Sequence, residues 1–339
     1  MGTNAIISVL SLIIFFSLMS GSLNKLDNRA TDNTVGYVKY STARDVAFSA
    51  INLSLKNKEL YGTFPISGSV DGGSYVVTGT QSGGTVNLVS TATYADSVYI
   101  IKVKFDVYPK PFPGTGAALG LNIDSVNFKM QGSALIDGRN YDSTGTIRTG
   151  SGDVAGVTVV DGYDSTKVAG YGGNINGSSD VKVDSALADP ASFADEYIVN
   201  ADSTYTVDFT KSITTFAGNK QWGTAASPKI TYVNAGDSTN LAKFTGTIDG
   251  WGILVLRGYI QFSGNFTFHG LVINYGDNTL DFSLSTGTPK IIGSMLMGGD
   301  SHSTFQMKGN ASILYSSSTL SEAKYVGKLL AYHIVDWYE

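Results

Sequence analysis

Apolar and polar positions follow three different periods along this chain, and each predicts a different element. Residues 5–19, AIISVLSLIIFFSLM, carry no charge. The run has the length of a signal-peptide core and falls short of the roughly 20 residues of a comfortable membrane span. No Lys or Arg precedes it, whereas Lys25 and Arg29 follow it, which suits neither a cleaved signal nor the positive-inside rule. From Val35 to Leu55 the period becomes helical: Val38, Ala43, Val46, Ala47, Ala50, Ile51 and Leu53 recur between polar Lys39, Arg44, Asp45 and Asn52. This predicts an amphipathic helix continuing the apolar one, with Gly21 and Gly36 as places for a kink.

Between residues 62 and 108 the period falls to two. SYVVTGTQ, GTVNLVSTATY and VYIIKVKFDVY alternate between turns at Asp71-Gly72-Gly73, Ser82-Gly83-Gly84 and Asp96-Ser97, an antiparallel meander. Three of the chain's seven prolines then fall in Tyr108–Gly114; they cannot donate to a sheet ladder, so a domain boundary is placed there.

The third period is six. Glycine recurs at Gly246, Gly252, Gly258, Gly264, Gly270 and Gly276, and the position two after each of the first five is apolar: Ile248, Leu254, Ile260, Phe266 and Val272. Glycine lets a backbone bend where a side chain would collide, so this beat predicts a stack of short strands. In left-handed hexapeptide helices an aliphatic residue precedes the small one. Here Arg257, Ser263, His269 and Tyr275 hold that place, leaving handedness and closure open. Short strands are predicted from Gly116 to about Ile175 and again from Lys229 to Tyr315. Between them DSALADPASFADEYIV predicts a helical insertion near 184–215, with Asp189 as N-cap and Pro190 at the first helical position. Ser318 or Ser321 caps a final helix whose inner face is Leu320, Ala323, Val326, Leu329, Leu330, His333 and Val335, closing one end of the stack.

The predicted fold is therefore mainly β with a long N-terminal helix. Residues 1–60 form the apolar then amphipathic helix and 61–110 a small antiparallel sheet. Residues 111–318 form a glycine-rich β-solenoid-like domain and 319–339 a C-terminal capping helix. Composition agrees: 40 of 339 residues are glycine and only 15% are charged, as expected of many short strands and tight turns. A net charge of -5 without a Lys/Arg cluster argues against a nucleic-acid partner. The absence of cysteine removes disulfides, thiolate metal sites and cysteine nucleophiles.

Candidate chemistry is sparse. No catalytic residue, cofactor or metal is predicted. The nearest approach to a metal site is Asp137, Asn140 and Asp142 in a glycine-bearing turn, where Arg139 takes the place at which an EF-hand-like calcium loop needs an oxygen. His269, His302 and His333 are too widely spaced for a zinc motif. A glycosidase or lyase would need converging carboxylates, for which Asp249, Asp277 and Asp281 are the candidates, although aspartate in ordinary turns accounts for them. Trp251, Tyr259, Phe262, Phe266, Phe268 and Tyr275 form either a sugar-binding strip or, as their closeness to the apolar register favours, mostly core.

Several segments carry a resemblance. The apolar helix leading into AFSAINLSLK resembles the start of PilX-type pilus assembly proteins and other minor pilins. GSALIDGRNYDSTG (132–145), GTIDGWGILVLRGYIQFSGNFTFHGLVIN with GNASILYSSSTLSEA, and the ending IVDWYE are similar to later segments of that group. Counted from Gly2, the fifth mature residue is Ile7, where the family usually has Glu. The resemblance implies a type IV pilus or secretion-pilus component, held in the inner membrane or a filament, with its β domain on the periplasmic or extracellular side. Its implied partners are membrane lipid or pilin helices and other pilus or secretion-system proteins. The reading set against it is a secreted β-helix protein that binds or cleaves polysaccharide.

Overall fold

The computed structural model of the chain describes residues 2–56, 64–82, 84–114, 116–236, 240–276, 280–326 and 329–339. In chain order the elements are α1 (Gly2–Lys56), β1 (Ile66–Val70), β2 (Gly73–Ser82), β3 (Thr85–Tyr94), β4 (Ser97–Pro109), β5 (Ala117–Asn122), β6 (Asn127–Gly132) and β7 (Leu135–Asp137). There follow β8 (Ala155–Val159), α2 (Gly162–Ala169), β9 (Ile175–Asn176), β10 (Val181–Val183), α3 (Ala191–Val199), β11 (Ser203–Thr206), β12 (Ile213–Phe216), β13 (Lys220–Trp222) and β14 (Lys229–Asn234). The last are β15 (Leu241–Arg257), β16 (Tyr259–Tyr275), β17 (Asp281–Gly287), β18 (Lys290–Gly298), β19 (Thr304–Gly309), β20 (Ser312–Tyr315), α4 (Ser317–Ala323) and β21 (Leu330–Tyr338). They divide into two units, one of residues up to Tyr108 with Tyr332–Glu339, the other Pro109–Ala331.

In the first unit, α1 runs 55 residues, about 80 Å at the α-helical rise. It is continuous through Gly21 and Gly36, the two places expected for a kink. Its two halves meet different surroundings. Ile7, Leu10, Ile13, Phe15, Leu18 and Leu26 are all more than half exposed, whereas Ala43, Val46, Ala47, Ala50, Ile51 and Leu55 are buried. That second set follows the 3–4 spacing of one helical face, and it packs on β2 and β3.

The sheet has the order β1-β2-β3-β4-β21, with β1 to β4 an antiparallel meander. Asp71 and Gly72 both have positive φ between the paired Val70 and Gly73, as a two-residue type I′ hairpin turn requires. Along β4, Tyr99, Ile101, Val103, Phe105 and Val107 alternate into the core.

The expected helix over 319–339 is corrected. Helix α4 ends at Ala323, and residues 330–338 form strand β21 beside β4. Trp337 stacks on Phe48 with centroids 5.1 Å apart, and Tyr332 meets Phe105 edge-on at 5.9 Å. The segment is rich in aromatic and β-branched residues, which suit a strand, and an open sheet edge supplies the backbone partners that a helix would otherwise supply internally.

The second unit is a curled, wholly parallel sheet among its described strand pairings. Strand β15 pairs with β12 along Leu241–Phe244, with β13 along Ile248–Gly250 and with β14 along Gly252–Arg257. On its other side β16 follows it throughout, from Leu241 opposite Tyr259 to Arg257 opposite Tyr275. The offset is eighteen residues, three glycine intervals. The glycines stack where the long strands bend: Gly246, Gly264 and Gly287 in one column, Gly252, Gly270 and Gly293 in another, all with positive φ.

Beyond β16 the sheet continues through β17 and β19 to β6, through β18 and β20 to β7 and β9, and through β18 and β5 to β8 and β10. The strands therefore do not stack in chain order. A late strand of the unit lies beside its first, because Met295–Gly298 of β18 pairs with Leu119–Asn122 of β5. Inside, Phe216, Phe244 and Phe262 stack at 4.9 and 5.2 Å, and Phe282, Phe305 and Phe128 continue the aromatic column at 5.9 and 5.3 Å.

Residues 184–215 hold only one described helix, α3, since 203–206 and 213–216 are strands. Asp189 acts close to the expected cap: its Oδ1 accepts from the Ala191 backbone N–H at 3.0 Å. The cap of α4 is Ser316, whose Oγ accepts from the Thr319 N–H, and not Ser318 or Ser321. Helix α4 also packs across β15, β16 and β18, along the side of the stack and not at an end. The side-chain-free glycine column admits it there: a Cβ on Gly270 would stand 3.0 Å from that of Ala323.

Candidate functional site

The chain between β7 and β8 meets His269 of β16 and Ser317 of α4, and its polar residues hold it there. Asp137 is fully buried. It accepts from Arg139 Nε at 2.8 Å, Arg139 Nη2 at 2.6 Å, the Arg139 backbone N–H at 3.0 Å and the Tyr141 hydroxyl at 2.7 Å. Burial pushes its carboxyl up, but these four donors outweigh burial and hold it below the usual carboxylate range.

Asn140 donates through Nδ2 to the Ser151 carbonyl and the Ser317 hydroxyl, both at 3.0 Å, and its Oδ1 accepts from the Ser317 N–H. Asp142 Oδ1 accepts from the Thr146 and Ile147 N–H groups, and its Oδ2 from the Thr144 hydroxyl. The three candidate calcium ligands thus serve three separate purposes inside the protein, and Arg139 already neutralises Asp137. Among the described residues no three His, Cys, Asp or Glu side chains are grouped to hold a metal.

A consequence concerns pH. A carboxylate depressed by its folded-state partners stabilises the fold above its unfolded pKa, and this stabilisation is lost as pH falls below about 4 toward the folded value. Asp137→Asn is expected to cost on the order of 2 kcal/mol at pH 7. Amide hydrogen exchange across residues 139–153 should quicken in the variant at neutral pH, and the difference from wild type should shrink below about pH 4.

Beside this loop lies an open depression of about 670 Å³, lined by Thr144, Trp251, Thr267, His269, Lys290 and Asn310 among others. Trp251 and His269 are neighbours in register on β15 and β16. Their rings lie face to face, with centroids 4.0 Å apart and planes within 1°. His269 Nδ1 is 2.9 Å from the Ser143 carbonyl, so Nδ1 carries the proton and donates to it. Nε2 is 3.9 Å from Asp249 Oδ1, too far for a direct hydrogen bond. Burial holds the imidazole below its usual pKa, against the opposing effects of the Ser143 hydrogen bond and Asp249. The imidazole so held covers one face of the indole.

The sequence matches no protein-family model and no curated protein. Among solved structures it is similar to the competence-associated pilin ComZ from Thermus thermophilus, at 10% identity over 81% of this chain and 86% of that one, with a TM-score of 0.19. So distant a likeness assigns no function, and it does not single out PilX-type assembly proteins.

Of the acidic residues weighed as catalytic, the two described ones, Asp249 and Asp281, sit on different strands at different register positions. Asp249 stands opposite Thr267, while Phe282, next to Asp281, stands opposite Ile260, seven residues earlier on β16. Burial raises the pKa of Asp281, with Lys129 and Lys308 opposing; Asp277 lies outside the described residues. Of the aromatic strip, Phe262, Phe266, Phe268 and Tyr275 are buried, and Trp251 and Tyr259 are half-buried. His302 sits at a positive-φ turn and His333 is exposed on β21.

Sequence reasoning missed the pairing of Trp251 with His269. The signal was present: each immediately precedes a glycine of the six-residue beat, three intervals apart, and the eighteen-residue offset between β15 and β16 places them in register.

Proposed function

We propose that this protein is a pilin-like structural component of a type IV pilus or secretion pilus, rooted by α1 in the inner membrane or filament. It displays its second unit, read here as a three-legged β-solenoid, on the periplasmic or extracellular side. The observation that carries the reading is the division of one unbroken helix. Its leading part presents an apolar surface on every side, and its trailing part packs one face on a small antiparallel sheet. The leading helix is long and apolar enough to cross a membrane. A helix that is hydrophobic all round requires lipid or other apolar helices around it, and both are offered by a bilayer and by a bundle of pilin helices. Its partners are accordingly lipid and the helices of other pilus or secretion-system proteins. No catalytic step is assigned.

Ile13→Arg tests the anchor. Ile13 is 59% exposed, and a charge at the centre of an inserted helix costs roughly 3 kcal/mol. The wild-type chain is expected in alkali-resistant membrane or sheared-filament fractions, with the variant depleted from both. Recovery of wild type wholly in the soluble fraction, at an intact mass that retains residues 5–19, would overturn the reading.

A further inference from the structure

We propose that the polar middle of α1 docks a second copy of this chain, side by side at the same depth in the bilayer, with Asp27 of one copy set between Lys25 and Arg29 of the next. The inference rests on the anchoring reading above and names the neighbour.

The middle of α1 is a helix without cover. Every residue from Gly21 to Val38 is exposed, between the apolar leading part and the face that packs on β2 and β3. Gly, Asn, Asp, Thr and Val make up ten of the sixteen residues from Gly21 to Gly36, and all stand low in helix propensity. A helix draws most of its stability from packing, which the described residues of this chain do not supply here. Lys25, Asp27 and Arg29 are charged, and among the described residues none of them is engaged in an ion pair.

Their spacing says what fits. At about 100° per residue, Lys25 and Arg29 lie about 40° apart around the helix, and Asp27 lies about 180° from their mean direction. The helix therefore carries cations on one side and a carboxylate on the other. Both stand at one height, since Asp27 falls midway between the two cations in the chain. Asp32, three residues on from Arg29, shares the cationic side and leaves it with a net positive charge. Leu23, 56% exposed, precedes Asp27 by one turn on the same side and adds apolar contact.

Two parallel copies join these sides when they stand level, and identical apolar runs at residues 5–19 impose that level in a bilayer. At the separation of packed helices, about 8–10 Å, Lys and Arg side chains are long enough to reach the carboxylate. A two-fold pair would set Asp27 against Asp27 or the cations against each other. The contact is therefore heterologous and repeats from copy to copy as a row or ring. An anionic lipid headgroup would meet Lys25 and Arg29 but be repelled by Asp27.

The test uses the full chain in membranes. It has no cysteine, so Thr34→Cys, on the Asp27 side, and Gly36→Cys, on the side of Lys25 and Arg29, each introduce a single thiol. The two variants are co-expressed with different tags and oxidised. Expected is a disulfide between the two variants at least about threefold above that of either variant with itself. Asp27→Arg in both chains should lower it about fivefold, and exchanging the charges, Asp27→Arg together with Lys25→Asp and Arg29→Asp, should restore it. Such a rescue separates ion pairing from mere loss of the helix. A disulfide as strong within one variant as between the two, none in anchored protein, one unmoved by Asp27→Arg, or one the exchange does not restore would overturn the proposal and leave the anchor standing. Wild type recovered from the soluble fraction would overturn the anchoring reading and this proposal with it.

Discussion

Gly270→Ala is expected to unfold the parallel unit. At φ +130° a Cβ on residue 270 would lie 2.1 Å from the Gly252 carbonyl oxygen. That oxygen belongs to the backbone of the paired strand β15 and cannot rotate away as a side chain would. The strand on the other side repeats the constraint: at Gly293 of β18 the added carbon would meet the Gly270 oxygen at 2.0 Å. Relieving one contact therefore presses on the next. Backbone strain in this φ region and the steric overlap together should cost about 4 kcal/mol or more, a large share of the stability of a domain. Gly36→Ala is the matched control: the position lies within α1, and an added Cβ meets nothing within 4 Å. There the same chemical change should favour the helix by about 0.5–1 kcal/mol. Thermal melts of the two variants should move in opposite directions, and a Gly270→Ala protein that melts like wild type would refute the role given to the glycine column.

Phe262→Ala is expected to have the next largest effect. Its ring is fully buried and stands among Phe244 at 5.2 Å, Phe266 at 4.0 Å and Phe282 at 6.2 Å. Removing it empties a site between parallel strands whose spacing is set by backbone hydrogen bonds, so the walls resist collapsing to fill it. The loss should be about 3–5 kcal/mol, against about 1 kcal/mol for Phe262→Leu, which keeps much of the volume. Phe209 is 54% exposed, and Phe209→Ala should stay within about 0.5 kcal/mol of wild type. Chemical denaturation followed by near-ultraviolet circular dichroism would separate the three. Equal midpoints for Phe262→Ala and Phe209→Ala would show that the aromatic column is not a stabilising core.

Several features of the fold were legible because their cause is local. The six-residue glycine beat marks the bends of β15 and β16, where the register stacks glycine on glycine. The 3–4 spacing from Ala43 to Ile51 names the face of α1 that is buried, while Val38 and Leu53, read with it, are exposed. The Asp71-Gly72 pair marks its hairpin turn through positive φ at both residues. The candidate site was less legible. Asp137, Asn140 and Asp142 look alike in sequence as oxygen donors, yet each meets a different set of protein donors. The sequence held the Trp251–His269 pair only as an unnoticed phase relation to the glycines.

By itself, then, the sequence determined the long N-terminal helix, the antiparallel meander and the glycine-marked bends of β15 and β16. Each of those follows from the period and chemistry of neighbouring residues. The tertiary structure alone decided that Met295–Gly298 would pair with Leu119–Asn122, that residues 330–338 would join β4 as a strand where a helix was expected, and that α4 would pack on β15, β16 and β18. Those outcomes are pairings between backbone groups far apart in the chain, and since every residue but proline offers the same N–H and C=O, the side-chain pattern carries no mark of which partner each will find.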